Sequence, residues 1–289
     1  AYDLDWQSRG WYVYRTLAQT ARQSQAGVIA YLESRGLEYE SFWINNAIYV
    51  RGGDMAAIEG LASRPDVARI KADDVLYLPE PPAQPDGVQG ASDSWGLDWI
   101  QAPDVWALDV RGGGIVVANI DTGVQYDHPQ LSETYRGTID GSHARNWCDP
   151  SDICPGDVPC DNNGHGTHTM GTLSGENDDP ATDPNLIGVA PDSTWIACKG
   201  CEGQQCSDFA LLECAQWIAA PTEVLSGDCG TSGTPNPDKR PHVVNNSWGD
   251  AASNAWYKSS VQAWRAAGIF PAFSAGNKYL CGSVGSPGD

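Results

Sequence analysis

The sequence predicts an α/β protein: a parallel sheet with helices on both faces, preceded by a small α+β module. Two observations predict this arrangement. After residue 94, near-continuous apolar segments alternate with helical segments, which is typical of parallel strands buried on both faces. Before residue 79, shorter strand-like and helical segments alternate without a single cysteine. The 289 residues are enough for a large core and a smaller companion domain.

The first domain is predicted over residues 1–78. Its apolar pattern predicts a strand at Trp11–Leu17 and then a helix that ends at Gly36, because glycine is a common residue after a helix end. A strand-rich segment follows, with a turn at Asn45–Asn46. Asp54 is placed to cap a short second helix, and a last strand closes the domain.

A proline-rich segment, residues 79–94, separates the two parts. Proline cannot donate to a sheet ladder and breaks helix interiors, so this segment is predicted to be an exposed linker. In residues 95–289 the apolar runs predict four strands, at Gly114–Asp121, Ser193–Gly200, His242–Trp248 and Gly268–Asn277. Helical spacing predicts one helix that starts at His165 and two more at Ser207–Ala220 and Asn254–Gly268.

The charge and hydropathy of the chain exclude two classes of partner. With 17 basic and 37 acidic residues the formal net charge is -20, so the field repels phosphate backbones and anionic membrane surfaces. No nucleic-acid partner is therefore expected. No apolar run approaches the roughly 20 residues that cross a bilayer, so no membrane span is predicted.

Nine cysteines, all between Cys148 and Cys281, indicate disulfides and a secreted, extracellular protein. A zinc site at Cys198, Cys201 and Cys206 is the alternative, which the lack of a second compact pair disfavours. Because nine is odd, one thiol is free or has its partner outside this chain. The first residues lack the basic and apolar regions of a secretion signal, so any signal is expected to have been removed or left out.

Polar residues beside glycine end three of the predicted strands: Asp121, Ser247–Gly249 and Asn277. The carboxyl ends of parallel strands meet at one edge of the sheet, where open α/β sheets bind ligands. His165, between two glycines, starts a helix that can lie against the same edge. This edge is the predicted functional site.

Four motifs at these positions resemble those of subtilisin-like serine peptidases, the subtilases: "IDTGV" (120–124), "NGHGTH" (163–168), "NNSWG" (245–249) and "SAGN" (274–277). Each motif alone is weak, but four in the family's order are specific. The segments "GVAP" and "WGLDWIQAPDVW" and the long cysteine-bearing loops are similar to bacillopeptidase F-like members. The resemblance implies a subtilisin-like sheet in residues 95–289, C-terminally incomplete, and a ferredoxin-like, inhibitor-type propeptide in residues 1–78. It also implies a processing site in the linker.

The resemblance assigns roles to individual residues. Asp121 would orient the imidazole of His165, the general base, and Asn277 would donate its amide to the oxyanion. The remaining positions implied by the family bind substrate: Ser247, Trp248 and Gly249 pair with the peptide backbone, and Ala275 and Gly276 line the pocket before the cleaved bond. The implied partners are protein or peptide substrates and the propeptide itself.

The nucleophile of the family is a serine in a Gly-Thr-Ser motif that follows the oxyanion asparagine. The chain reaches Asp289 without it, so the serine is expected beyond that residue, and the fragment alone is expected to be inactive. Gly230-Thr231-Ser232 precedes Asn277 and is followed by "GTPNPDKRP", which cannot form a buried helix. This segment is predicted to be a surface turn.

Other readings of the same residues are less favoured. Asp-Thr-Gly is also an aspartic peptidase motif, but that class needs two copies. Zinc-peptidase helices space their histidines four apart with a glutamate, whereas His165 and His168 are three apart, so His168 is expected to pack or hydrogen-bond. No cofactor is required, and structural calcium in "CDPSD" or "ENDDPATD" is left open. The remaining alternative is a non-catalytic relative that binds or inhibits through its propeptide.

Overall fold

The computed structural model describes residues 1–78, 95–176, 187–249, 253–278 and 280–289. The predicted linker, residues 79–94, lies outside them. The α-helices are α1 (Trp6–Ser34), α2 (Met55–Ala62), α3 (Trp95–Trp99), α4 (Ala102–Trp106), α5 (Arg136–Asp140), α6 (His165–Ser174), α7 (Asp208–Ala219) and α8 (Lys258–Ala267). The strands are β1 (Glu38–Phe42), β2 (Ala47–Arg51), β3 (Val75–Tyr77), β4 (Val116–Asp121), β5 (Trp147–Cys148), β6 (Thr194–Lys199), β7 (Gln205–Ser207), β8 (Val243–Asn246) and β9 (Phe270–Phe273). Within the described ranges, no helix is both long and apolar enough to cross a membrane.

The strand predicted at Trp11–Leu17 is wrong, because these residues lie inside α1. Asp5 caps this 29-residue helix by accepting a hydrogen bond from the backbone nitrogen of Ser8 at 3.0 Å. The aromatic run favours a strand locally, but the residues that α1 buries recur every three to five positions: Gly10, Val13, Ala18, Ala21, Gln25, Val28 and Leu32. Packing of this face overrides the local preference.

The rest of the N-terminal module follows the prediction more closely. β1 and β2 form an antiparallel hairpin whose turn includes Asn46 in a left-handed conformation. Asp54 caps α2, as predicted. β3, however, pairs outside the module, antiparallel to β7. The module is α+β, but its own sheet has two strands among the described residues, not the four of a ferredoxin-like fold.

The C-terminal part contains the four predicted strands, as β4, β6, β8 and β9, and a fifth strand, β5, that was not predicted because it has only two residues. Five strands lie in the order β5-β6-β4-β8-β9, and every neighbouring pair is parallel. Side chains alternate between two cores: Val117 and Ala197 pack on the α6 side with Met170, whereas Ala118 and Ile196 pack on the α7 and α8 side. Helices therefore cover both faces, which confirms the predicted architecture and places β4 at the centre.

Eight of the nine cysteines form disulfides, as predicted: Cys148–Cys229, Cys154–Cys160, Cys198–Cys214 and Cys201–Cys206. The three cysteines of the zinc alternative are all oxidised, so their thiolates are not available to a metal. The Cys198–Cys214 bond ties β6 to α7, and Cys201–Cys206 closes the loop that leads into β7. Cys281 is free and exposed.

Candidate active site

Asp121 and His165 meet at the carboxyl edge of the sheet, where β4 ends and α6 begins. The imidazole Nδ1 lies 2.6 Å from the carboxylate Oδ1 of Asp121. The Asp121 side chain is 1% exposed and that of His165 is 24% exposed. The imidazole ring of His165 is thus accessible to solvent, whereas the carboxylate of Asp121 is buried. Among the described residues, the other ring nitrogen, Nε2, has no hydrogen-bond partner.

Two glycines allow α6 to approach β4 this closely. A Cβ on Gly166 would lie 2.0 Å from the carbonyl oxygen of Gly123. A Cβ on Gly123 would lie 2.0 Å from the carbonyl oxygen of Cys160, and Gly123 has a φ of +104° that favours glycine. Gly123 of "IDTGV" and Gly166 of "NGHGTH" are therefore required for the close approach that brings His165 to Asp121.

Hydrogen bonds fix both oxygens of Asp121. Its Oδ1 accepts from the backbone nitrogen of Thr122 at 2.8 Å, and its Oδ2 accepts from the Thr169 hydroxyl at 3.2 Å. The hydrogen bond to Asp121 raises the pKa of His165 above its usual value, although burial opposes this, and the charges of Asp121 and Asp161 add to it. The site can therefore stabilise an imidazolium that forms during proton transfer.

Asp161, which the sequence analysis missed, organises the loop before His165. Its carboxylate accepts from the hydroxyls of Thr122 (2.8 Å) and Thr167 (2.6 Å). It also accepts from the backbone nitrogens of Asn163, Gly164 and Thr167. Burial acts to raise its pKa, but these hydrogen bonds more than offset burial, and the net pKa is lowered. The available signal was an Asp-Asn-Asn-Gly segment, which is typical of a turn stabilised by its own side chain.

Asn119 was also missed, and it links the pair to β8. It lies in the middle of β4 and is fully buried. Its amide donates to the hydroxyl of Thr169 at 2.9 Å, and its side-chain oxygen accepts from Asn245 at 2.9 Å. The amide of Asn245 also donates to the Ser247 hydroxyl at 2.9 Å. The signal in the sequence was that Asn119 is the one polar residue before the final aspartate of "VVANID".

The predicted substrate-binding residues follow β8 and β9 at the same edge. Trp248 is 1% exposed, and its indole contacts the rings of Tyr257 and Phe273. The Trp248 side chain is therefore part of the core, and only the backbone of this residue is available at the edge. Ala275, Gly276 and Asn277 are exposed after β9, in a loop tied to β8 by a hydrogen bond from the Ser274 nitrogen to Asn246.

Other residues that the sequence singled out lie apart from this pair. His168 was expected to pack or to hydrogen-bond; its side chain is exposed on α6, so the first of these two roles is wrong. Ser232 is exposed and its nitrogen donates to the carbonyl oxygen of Asp228, as expected for a surface turn, but Gly230 is buried and Thr231 is half-buried, so the prediction holds only for Ser232. Asp149 of "CDPSD" accepts four hydrogen bonds from within its own loop. Most of "ENDDPATD" lies outside the described residues, and the calcium prediction stays untested.

The sheet, the Asp121–His165 geometry and the motif order together define a subtilase. Residues 112–289, more than half of the chain, match the model of the Subtilase family, and the chain belongs to this family. It is 35% identical to Bacillopeptidase F of Bacillus subtilis (strain 168) over 95% of this chain and 20% of that protein. It is 31% identical to Minor extracellular protease Vpr of the same organism, over 66% of this chain and 21% of that protein. Alkaline protease 1 of Emericella nidulans is 27% identical over 89% of this chain and 57% of its own length. The chain spans less than two thirds of each of these relatives.

Proposed function

We propose that the chain is part of the precursor of a secreted serine endopeptidase in which Asp121 and His165 activate a serine. The observation that carries the proposal is the 2.6 Å contact between a buried carboxylate and a partly exposed imidazole. In this role Nε2 of His165 takes the proton of the serine hydroxyl as its oxygen attacks the peptide carbonyl, and then gives the proton to the leaving amine. Asp121 accepts a hydrogen bond from the Nδ1–H group, which fixes the tautomer and stabilises the imidazolium while the proton stays on the ring.

Two further elements complete the proposed site. The amide of Asn277 donates to the oxyanion of the tetrahedral intermediate, and Ala275 and Gly276 line the pocket for the residue before the cleaved bond. The backbone of Ser247–Gly249 pairs with the substrate as an added strand. The nucleophilic serine follows Asn277 in the family pattern. No cofactor is required by this mechanism, and calcium would have only a structural role.

The N-terminal module is proposed to be a propeptide bound to its own peptidase domain, with maturation by cleavage in residues 79–94. Support comes from β3, which pairs with β7 and continues through a hydrogen bond from the Leu78 nitrogen to the carbonyl oxygen of Gln204 at 2.9 Å. Leu76 and Leu78 are buried at 6% and 5% exposure, whereas Tyr77 between them is 65% exposed. This alternation is that of a strand bound to an edge.

A second candidate function is binding or inhibition without catalysis. The β3–β7 pairing favours it, because that contact needs no nucleophile. Hydrolysis of an unfolded protein substrate by the natural full-length protein distinguishes the two functions. The first predicts hydrolysis that falls by about 10² to 10⁴-fold in His165→Ala and is retained in His168→Ala, an exposed change on the same helix. Equal rates in both variants, or no hydrolysis by the unmodified protein, would contradict the endopeptidase proposal.

A further inference from the structure

The first two turns of α1 contact the C-terminal part at the amino edge of the sheet, opposite Asp121. The Trp6 ring stacks on His242, which directly precedes β8, with centroids 4.5 Å apart and planes 17° apart. The Arg240 guanidinium lies 3.7 Å from the centroid of the same ring. Arg240 is 1% exposed and also donates to the carbonyl oxygen of Trp6. The Trp6 ring therefore contacts two side chains, and the Trp6 carbonyl oxygen accepts a hydrogen bond from one of them.

Arg9 caps the carboxyl end of α8. Its Nε donates to the carbonyl oxygen of Ala266 at 2.7 Å, and its Nη2 donates to that of Arg265 at 2.6 Å. Arg240 donates to the next carbonyl oxygen, that of Ala267, at 3.0 Å. The last carbonyl groups of a helix have no partner within the helix and carry its negative dipole end. Two guanidinium groups that would repel each other in isolation are both stabilised there.

The contact between α1 and Arg240 leaves no space for a residue larger than glycine at position 10. A Cβ on Gly10 would lie 2.3 Å from Nη1 of Arg240 and 2.6 Å from its Cζ. On the other side, a Cβ on Gly268 would lie 3.1 Å from the Trp6 ring. Trp6, Arg9 and Gly10 thus form one surface, here called the docking element, that matches Arg240, His242 and the end of α8.

The docking element and β3 contact opposite edges of the sheet. His242 directly precedes β8, so the docking element contacts the amino edge. β7, the partner of β3, lies at the carboxyl edge. The backbone nitrogen of Cys201 donates to the carbonyl oxygen of Asp121 at the end of β4, and a disulfide joins Cys201 to Cys206 in β7. The module therefore contacts both edges of the sheet through separate elements.

We propose that the docking element holds the N-terminal module on the C-terminal part independently of the β3–β7 contact, its partner being the surface made by Arg240, His242 and the carboxyl end of α8. The inference goes beyond the proposed function, because this contact holds the module whether or not the protein cleaves peptides. It also links the module to α8, which leads directly into β9 and the loop that carries Asn277.

Hydrogen exchange of the intact chain tests the proposal. In Arg9→Ala, we expect the amides of Gly268 and Ile269, which bond back to the last turn of α8, to exchange about tenfold to a hundredfold faster. The amides of β3 and β7 should keep their protection. Arg22→Ala is the matched control, since Arg22 is exposed on the same helix. Equal exchange in the two variants, or equal loss of protection at β3 and β7, would overturn the proposal.

Two further variants keep the test decisive if Arg9→Ala does not fold. Arg9→Lys keeps the charge but replaces the planar fork that reaches two carbonyl oxygens, and it should give a smaller acceleration at the same two amides. Gly10→Ala separates docking from helix propensity, because alanine is the better helix former. Docking predicts faster exchange at Gly268 and Ile269 in Gly10→Ala, and unchanged or slower exchange there would overturn the proposal.

Discussion

At the scale of single residues, the geometry of the site depends on the hydrogen bond between His165 and Asp121. We expect Asp121→Asn to lower the pKa of His165, because the amide removes the negative charge and leaves only a neutral, weaker hydrogen-bond acceptor for the ring. The raised pKa adds stability that is complete below about pH 6.5, the usual unfolded value, and is lost as the pH rises through the folded value. Asp121→Asn should therefore cost more stability at pH 5 than at pH 9.

An NMR titration of the His165 ring, with denaturant unfolding at the two pH values, measures both effects. Asp127→Asn removes the same charge from an exposed position and serves as the control. An unchanged titration midpoint in Asp121→Asn would show that the carboxylate does not set the protonation of this imidazole.

The glycine at the start of α6 gives a second residue-scale prediction. Gly166→Ala places a Cβ against the Gly123 carbonyl, so α6 must move away from β4, at a cost of about 1 to 3 kcal/mol in the free energy of unfolding. Gly171→Ala in the same helix meets nothing within 4 Å and should be neutral or stabilising. Denaturant unfolding of the two variants compares them, and equal stabilities would contradict the close-approach explanation.

At the scale of elements, β5 was missed because it has only two residues. The other four parallel strands were predictable because each is a mainly apolar run that ends in a polar residue or glycine. The helix over Trp11–Leu17 was not, since its aromatic residues favour strand locally and only the burial of Gly10, Val13 and Ala18 reveals a helical face. The β3–β7 pairing joins residues about 130 positions apart, and no periodicity within either segment encodes such a contact. Asp121 and His165 were predicted to meet at the carboxyl edge. Asp161 was missed because its turn has the composition of an ordinary loop.

The β3 contact leads to a prediction about this strand. Leu76→Ser should open the pairing with β7, because burial of a leucine side chain is worth about 1.5 to 3 kcal/mol and its hydroxyl replacement would be buried. Tyr77→Ser, at the exposed neighbouring position, should leave the pairing intact. Hydrogen exchange of the amides of Leu78 and Asp208, which bond across this pairing, reports the difference. Equal protection in both variants would rule out a side-chain-dependent strand contact.

At the scale of the whole molecule, a buried carboxyl group lies where the module meets the C-terminal part. Glu213 on α7 is fully buried and accepts hydrogen bonds from the nitrogens of Gly230 and Thr231 and from the Thr231 hydroxyl. Burial raises its pKa to about 8, the hydrogen bonds from Thr231 and Gly230 act to lower it, and the charges of Asp228 and of Glu40 on β1 add to the rise. A pKa of about 8 makes the protonated carboxyl the main form at neutral pH.

This raised pKa makes the stability of the whole chain depend on pH. The contribution is complete below about pH 4.5, the usual unfolded value, and is lost as the pH rises through about 8. Glu213→Gln imitates the protonated side chain and cannot ionise, so its free energy of unfolding should fall less than that of the unmodified chain between pH 5 and 9. Denaturant unfolding across this range measures both proteins. Parallel pH profiles would contradict the assignment of this titration to Glu213.

The central claim is that the Asp121–His165 pair activates a serine, and covalent labelling tests it most directly. The natural full-length protein would be treated with a fluorophosphonate, which reacts with activated serine hydroxyls, and the modified residue would be mapped by mass spectrometry. We predict one adduct, on a serine that follows Asn277 in the chain, and its loss in His165→Ala. No adduct, or labelling that persists in His165→Ala, would contradict the claim.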